Sequence, residues 1–162
     1  MKKILFAASE AVPFMKTGGL ADVTGSLPKY FDKKNYDVRV ILPKYVCMEE
    51  RWKGQLHFLC HFYVNLSWRK QYVGIFETTY DGITYYLVDN EFYFAGNAPY
   101  NNIYEDVEKF AFFSKAVLEA LPYLDFWPDV IHCHDWQTGL IPVYLHDAFQ
   151  QSEFYRGIQS IM

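Results

Sequence analysis

The sequence predicts an α/β fold with a mostly parallel sheet and an antiparallel β-meander in the middle. Three observations carry that prediction. The first forty residues read as strand, glycine-bearing loop, helix, strand, which is a βαβ unit. The middle of the chain is aromatic-rich and β-prone, with turn signals between its runs. The last third returns to helical periodicity around one short apolar strand. At 162 residues, half of them apolar and a fifth aromatic, the chain is long enough for one domain with a sizeable core.

Taken in order, Lys3 to Ala8 is a short apolar run ended by Ser9 and Glu10, a buried strand and not the core of a signal peptide. Gly19 to Phe31 carries Leu20, Val23, Leu27 and Phe31 at helical spacing, with Pro28 expected to kink or shorten the helix. Tyr36 to Leu42 alternates and then runs apolar, which predicts the second strand. Leu56 to Val88 predicts a meander of partly antiparallel strands, with Asp81-Gly82 as one of its turns. Glu105 to Leu121 predicts a helix with Val107, Phe110, Ser114, Val117 and Leu121 on one stripe. Pro128 to Cys133 is another buried strand, and Asp135 is placed to cap a helix over Gln137 to Phe149.

Composition excludes several classes. A net charge of -4 argues against a nucleic-acid partner, and the longest like-charged runs are pairs such as Lys33-Lys34 and Glu49-Glu50. No apolar stretch is long enough to span a bilayer, so no membrane partner is expected. Three cysteines (Cys47, Cys60, Cys133), odd in number and without CxxC spacing, fit a reducing, cytoplasmic compartment. The Asn65-Leu66-Ser67 acceptor triplet carries little weight without an export signal. The chain closes on "YRGIQSIM", the start of an apolar strand, which suggests a piece of a longer protein.

Four places can carry chemistry. Lys16-Thr17-Gly18-Gly19 lies between a strand and a helix, where open parallel sheets bind ligands. Its glycines allow close backbone approach, and the following helix N-terminus favours an anion. It is neither a Walker A loop nor GxGxxG, so an ordinary βα connection explains it as well. In His132-Cys133-His134 the two histidines share a strand face, which admits a metal pair, a polar-substrate contact from His134, or a histidine satisfied at a strand end. Glu105-Asp106 opens a predicted helix, where the dipole alone accounts for acidic residues. Trp52, Trp68, Tyr85, Tyr86, Phe92 and Tyr93 offer stacking faces for sugar rings, although most such residues are core.

The motifs together resemble the opening of the bacterial glycogen synthases and plant starch synthases. "ILFAASEAVPFMKTGGLADVTGSLPKY" resembles the family's first segment, "DVRVILPKY" its second strand, and "YEDVEKFAFFSKAVLEAL" its long helix. "WPDVIHCHDWQTGLIPVYL" resembles its HxHDWxxGL segment, and the order and separation of KTGGLADV and HDWxxGL make the match specific. The resemblance implies the N-terminal, acceptor-side Rossmann-like domain of a GT-B glycosyltransferase over residues 1–162, with the C-terminal nucleotide-binding domain absent from this chain. It implies transfer of glucose from ADP-glucose to the non-reducing 4-hydroxyl of an α-1,4-glucan (glycogen or maltooligosaccharide), with retention and without a metal or other cofactor.

By motif, Lys16, Gly18, Gly19 and Asp22 correspond to donor-binding positions, and His134 to the histidine beside the donor glucose. Glu105-Asp106 departs from the family's usual Asp-Asn or Asp-Asp; Glu105 in a catalytic place would reach one methylene further. Alone, these residues would form one wall of a cleft and be inactive. Two other readings remain at this stage: a GT-B transferase using a UDP-sugar, and a glucan-binding or regulatory module without catalysis.

Overall fold

The computed structural model describes all residues from Met1 to Met162. Seven strands form one sheet in the order β3-β4-β5-β2-β1-β6-β7. Five of them are parallel: β1 (Lys2–Ala7) lies between β2 (Tyr36–Pro43) and β6 (Val130–Cys133), with β5 (Ile83–Asp89) beyond β2 and β7 (Gln159–Ile161) beyond β6. β3 (His57–Leu66) and β4 (Arg69–Tyr80) add the antiparallel meander to the β5 side. Asp81 (φ 51°) and Gly82 (φ 72°) give the β4–β5 hairpin its turn, since two successive left-handed residues match the strand twist.

The central strands are buried on both faces, which is why Phe6, Val40, Ile41 and Leu42 form near-continuous apolar runs. The long helix α3 (Ile103–Ala120) covers one face, packing Phe112, Phe113 and Ala116 near Leu5, Ala7 and Ile41. Its N-cap Asn102 accepts from the N–H groups of Tyr104 (3.1 Å) and Glu105 (3.2 Å). Ala11 and Phe14, from the chain after β1, join Phe6, Val40 and Leu42 on the other face. A short helix, α2 (Glu50–Lys53), lies between β2 and β3.

Two helices differ from their sequence pattern. α1 spans Gly19–Ser26 and passes at Leu27–Tyr30 into a 3₁₀ turn, so Pro28 shortens it as expected. The expected apolar stripe is not its buried face: Val23 and Leu27 are exposed, and Ala21, Thr24 and Gly25 pack inward. The contact is too close for larger residues, because a Cβ on Gly25 would fall 2.4 Å from Val12. The helix expected over Gln137 to Phe149 is instead a 3₁₀ turn at Trp136–Thr138, α4 (Leu140–Tyr144) and a π turn at Leu145–Phe149. Pro142, which lacks an N–H, sits within that region. In α3 the stripe holds except at Val107, which is exposed.

Candidate active site

β1 is the switch point of the sheet: the chain leaves it toward β2 through α1, and β6 arrives at its other side after α3. A crevice therefore opens beyond the carboxyl ends of β1 and β6, where open α/β sheets hold their ligands. Its floor starts with Ser9 and Glu10, both buried. Glu10 Oε2 accepts from the Thr17 N–H (2.6 Å) and the Thr17 hydroxyl (2.8 Å), offsetting the cost of burying a carboxylate. The Tyr45 hydroxyl donates to the Ser9 carbonyl, and the Thr24 hydroxyl to the Glu10 carbonyl. The Lys16-Thr17-Gly18-Gly19 segment is thus hung on a fixed frame.

On that frame, Lys16 Nζ meets both oxygens of Asp22, at 2.7 and 2.8 Å, one turn into α1. The pair is about half exposed on each side, so water screens it and it contributes at most about 1 kcal/mol. An anion entering the crevice can exchange with Asp22 for the lysine at little cost. Gly18 is extended (φ -154°), a conformation any residue adopts, so backbone geometry does not demand a glycine. A Cβ on Gly19 would meet nothing within 4 Å, and one on Gly18 only Glu10 Oε1 at 4.0 Å. Neither glycine answers to packing inside the chain. What they preserve is open space beside the first N–H groups of α1, whose N-cap supplies no side-chain partner.

The opposite lip is the end of β6. The His134 N–H donates to the Ala7 carbonyl, which ties β6 to β1 at the crevice. Its ring packs against Phe6 (4.8 Å between centroids) and His132 (4.2 Å). Burial first, and the neighbouring His132 second, push the His134 pKa down to about 4, so the ring is neutral near pH 7. Its Nε2 is buried without a hydrogen-bond partner. His132 and His134 do share a face, yet no group of three or more His, Cys, Asp or Glu residues is placed to hold a metal ion.

Asp135 is the residue whose importance the sequence understated. It caps the next turn through Oδ1 to the Trp136 N–H (2.7 Å), but does so at φ 64° and ψ 175°, a region almost reserved for glycine. The Thr138 hydroxyl holds the strained turn by donating to the carbonyls of His134 and Asp135. Asp135 is exposed; burial first, then the charge of Glu10 and to a smaller extent that of Asp135, raise the pKa of the Tyr100 hydroxyl. That hydroxyl lies 2.8 Å from Ser9 Oγ. Glu10, Tyr100 and Asp135 come together from three separate segments, which no local pattern announces.

The structure does not group all the expected residues. Lys16, Gly18, Gly19 and Asp22 form one cluster, with His134 at the end of β6. Glu105 instead takes Nδ2–H donors from Asn101 (3.0 Å) and Asn102 (2.7 Å) and lines a separate cavity beside Arg69 and Glu108. Asp106 is buried against Lys109 at 2.8 Å. Among the aromatics, Tyr85, Tyr86 and Tyr93 are core, whereas Trp68 and Phe92 stand in solvent.

Fold and crevice define a Rossmann-like α/β domain with a ligand site at its topological switch point. The chain belongs to the starch synthase catalytic domain family, whose model matches residues 3–162. It is 68% identical to a glycogen synthase of Lachnoclostridium phytofermentans and 64% identical to one of Lachnospira eligens. In both cases the match covers 100% of this chain and 34% of the relative, so the chain spans about a third of the relatives it matches. Its fold matches the catalytic domain of starch synthase IV from Arabidopsis thaliana, solved with ADP and acarbose bound. That match has a TM-score of 0.84 at 29% identity, over 98% of this chain and 32% of that one. The sheet is therefore that of a GT-B glycosyltransferase domain. No helix is long and apolar enough to cross a membrane.

Proposed function

We propose that this chain forms one wall of the active-site cleft of a glycogen synthase that moves glucose from ADP-glucose to the 4-hydroxyl ending an α-1,4-glucan, with retention of configuration. The observation that carries the reading is the exposed Lys16–Asp22 pair at the mouth of an otherwise unexplained glycine opening. ADP and an acarbose molecule bound to the starch synthase IV domain are of the ligand classes this reading requires. In the reaction the leaving diphosphate gains negative charge, and a preorganised cation and helix N–H groups lower the barrier to that charge. Lys16 supplies the cation, and Gly18 and Gly19 let the diphosphate reach the start of α1. Asp22 holds Lys16 until the donor arrives.

Neutral His134 offers a hydrogen bond to the donor sugar without competing for the diphosphate's charge. Asp135, held in its strained turn at the end of β6, presents a carboxylate to sugar hydroxyls. The donor is itself the second substrate, so the reaction as written uses no cofactor. A second Rossmann-like domain would supply the facing wall and the remaining donor contacts. Three free cysteines, at Cys47, Cys60 and Cys133, suit a cytoplasmic enzyme.

The test is glucose transfer to glycogen by the intact enzyme, with ADP-glucose and UDP-glucose offered in parallel. Transfer from ADP-glucose, at a kcat/KM well above that for UDP-glucose, is the expected result. Binding of glycogen with no transfer from either donor would leave a glucan-binding module and overturn the reading.

A further inference from the structure

A lysine that meets a ligand has to be held in place, and the Lys16-Thr17-Gly18-Gly19 segment works against that. A side chain grafted on Gly18 or Gly19 would meet almost nothing, so packing does not restrain this backbone. Glycine also carries more conformational freedom than any other residue. A lysine beside two such positions wanders unless the chain is fixed close by, and two clasps fix it. In the first, the Ala11 carbonyl accepts from the N–H groups of Phe14 and Met15, both at 3.0 Å. In the second, Glu10 Oε2 takes the Thr17 N–H at 2.6 Å and the Thr17 hydroxyl at 2.8 Å. Met15 and Thr17 are thereby anchored, and Lys16 is the single residue between them.

Glu10 is itself a rigid post. It is 3% exposed and sits just past the end of β1. Its carbonyl accepts from the Thr24 hydroxyl of α1 at 2.6 Å, and the Ser9 carbonyl accepts from the Tyr45 hydroxyl, which follows β2, at 2.8 Å. The Val12 N–H donates to the Ala21 carbonyl at 3.0 Å, so the next turn of chain is bound to α1 as well. Lys16 pairs with Asp22 and leaves the Glu10 carboxylate to Thr17. Any influence of Glu10 on the lysine therefore passes through Thr17.

What the second clasp holds lies in solvent. Thr17, Gly18 and Gly19 are all exposed, so the clasp buries no apolar surface. The bonds of Ala11, Val12 and the Glu10 carbonyl already tie this stretch to the fold without it. A buried carboxylate that directs its charge at an exposed threonine, one residue from the crevice lysine, orders the ligand side of the loop and not the core. The gain is preorganisation. A cation already confined near its working position loses less freedom when it meets the charge developing on a leaving diphosphate.

We propose that Glu10 is a positioning residue for glucose transfer: acting through Thr17, it sets the reach of the Lys16 ammonium into the crevice. This assignment rests on the glycosyl-transfer reading above.

Double-mutant cycles in the intact enzyme test it, with KM and kcat for ADP-glucose measured beside a thermal melt. Glu10→Gln and Thr17→Val are each made in the wild type and in a Lys16→Gln background. Valine keeps the branched shape and the N–H bond of Thr17 and removes only the hydroxyl. Thr17 is exposed, so that variant keeps the test valid if Glu10→Gln unfolds. In the wild type each change is expected to raise the KM for ADP-glucose about fivefold, the scale of one net hydrogen bond, with the Thr17→Val melt unchanged. In the Lys16→Gln background the same change is expected to cost less than about twofold, because the residue it acts through is gone. Thr17→Ser, which keeps the hydroxyl, should recover most of the loss. Equal effects in both backgrounds, or none in either, would overturn the positioning role while leaving Lys16 its ligand. Constants unchanged by Lys16→Gln itself would overturn both the positioning role and the reading of Lys16 beneath it.

Discussion

The domain carries two lysine–aspartate pairs with nearly the same bond length and opposite situations. Lys109 and Asp106 meet at 2.8 Å with side chains 3% and 7% exposed. Lys16 and Asp22 meet at 2.7 Å with side chains 52% and 55% exposed. The first pair is woven into the fold: Asp106 also accepts from the Asn101 N–H, and Lys109 also donates to the Pro99 carbonyl, so the loop before α3 is anchored by charge. The second pair holds no other element. A charge buried with every partner satisfied maintains structure, whereas a charge kept in solvent beside an open glycine segment is available to a ligand.

The contrast breaks most visibly at the buried pair. Lys109→Met leaves the Asp106 carboxylate without its cation, and an unpaired buried charge costs about 3–5 kcal/mol. Chemical denaturation should show a loss of that order, and a loss below about 1 kcal/mol would place the pair with the surface ones. A medium effect is expected from His134, whose ring the fold keeps neutral. The unfolded histidine takes up a proton near pH 6.5, whereas the folded one does so only near pH 4. Stability therefore falls as pH drops through that window and levels off below it, by about 2 kcal/mol after allowance for partial solvent screening. Denaturation at pH 7 and pH 4.5 measures the loss, and His134→Asn should remove most of it. The smallest stability effect belongs to the exposed pair: Lys16→Gln should change folding by less than about 1 kcal/mol.

Legibility in the sequence follows the same division between what the fold buries and what it leaves open. The βαβ opening, the meander and α3 were readable because alternation, helical spacing and turn residues are local signals. α1 misled because tight packing on Val12 selects small residues: Ala21, Thr24 and Gly25 are the buried face, and Val23 and Leu27 remain in water. Periodicity counts apolar side chains, and here the apolar ones are outside. The broken geometry from Trp136 to Phe149 was equally invisible, since one continuous helix and three short turns share the same composition.

In the site, the KTGG segment and HDW could be picked out because each is contiguous. Glu10, Tyr100 and Asp135 could not be grouped, because segments far apart in sequence bring them together. The left-handed backbone at Asp135 is a tertiary result, held by Thr138. The Arg69–Glu108 contact likewise joins the start of one strand to a helix nearly forty residues later, a pairing that sequence spacing does not encode.

The central claim is that the exposed pair serves a ligand and not the fold, and Lys16→Gln in the intact enzyme tests it most directly. Steady-state kinetics with varied ADP-glucose, beside a thermal melt of the same preparation, separates the two roles. The expected result is an unchanged melting temperature with the KM for ADP-glucose raised about tenfold or more, the loss of one charge-assisted contact to a diphosphate. An unchanged KM and kcat, or a rate lost only in step with stability, would contradict the claim and leave Lys16 an ordinary surface lysine.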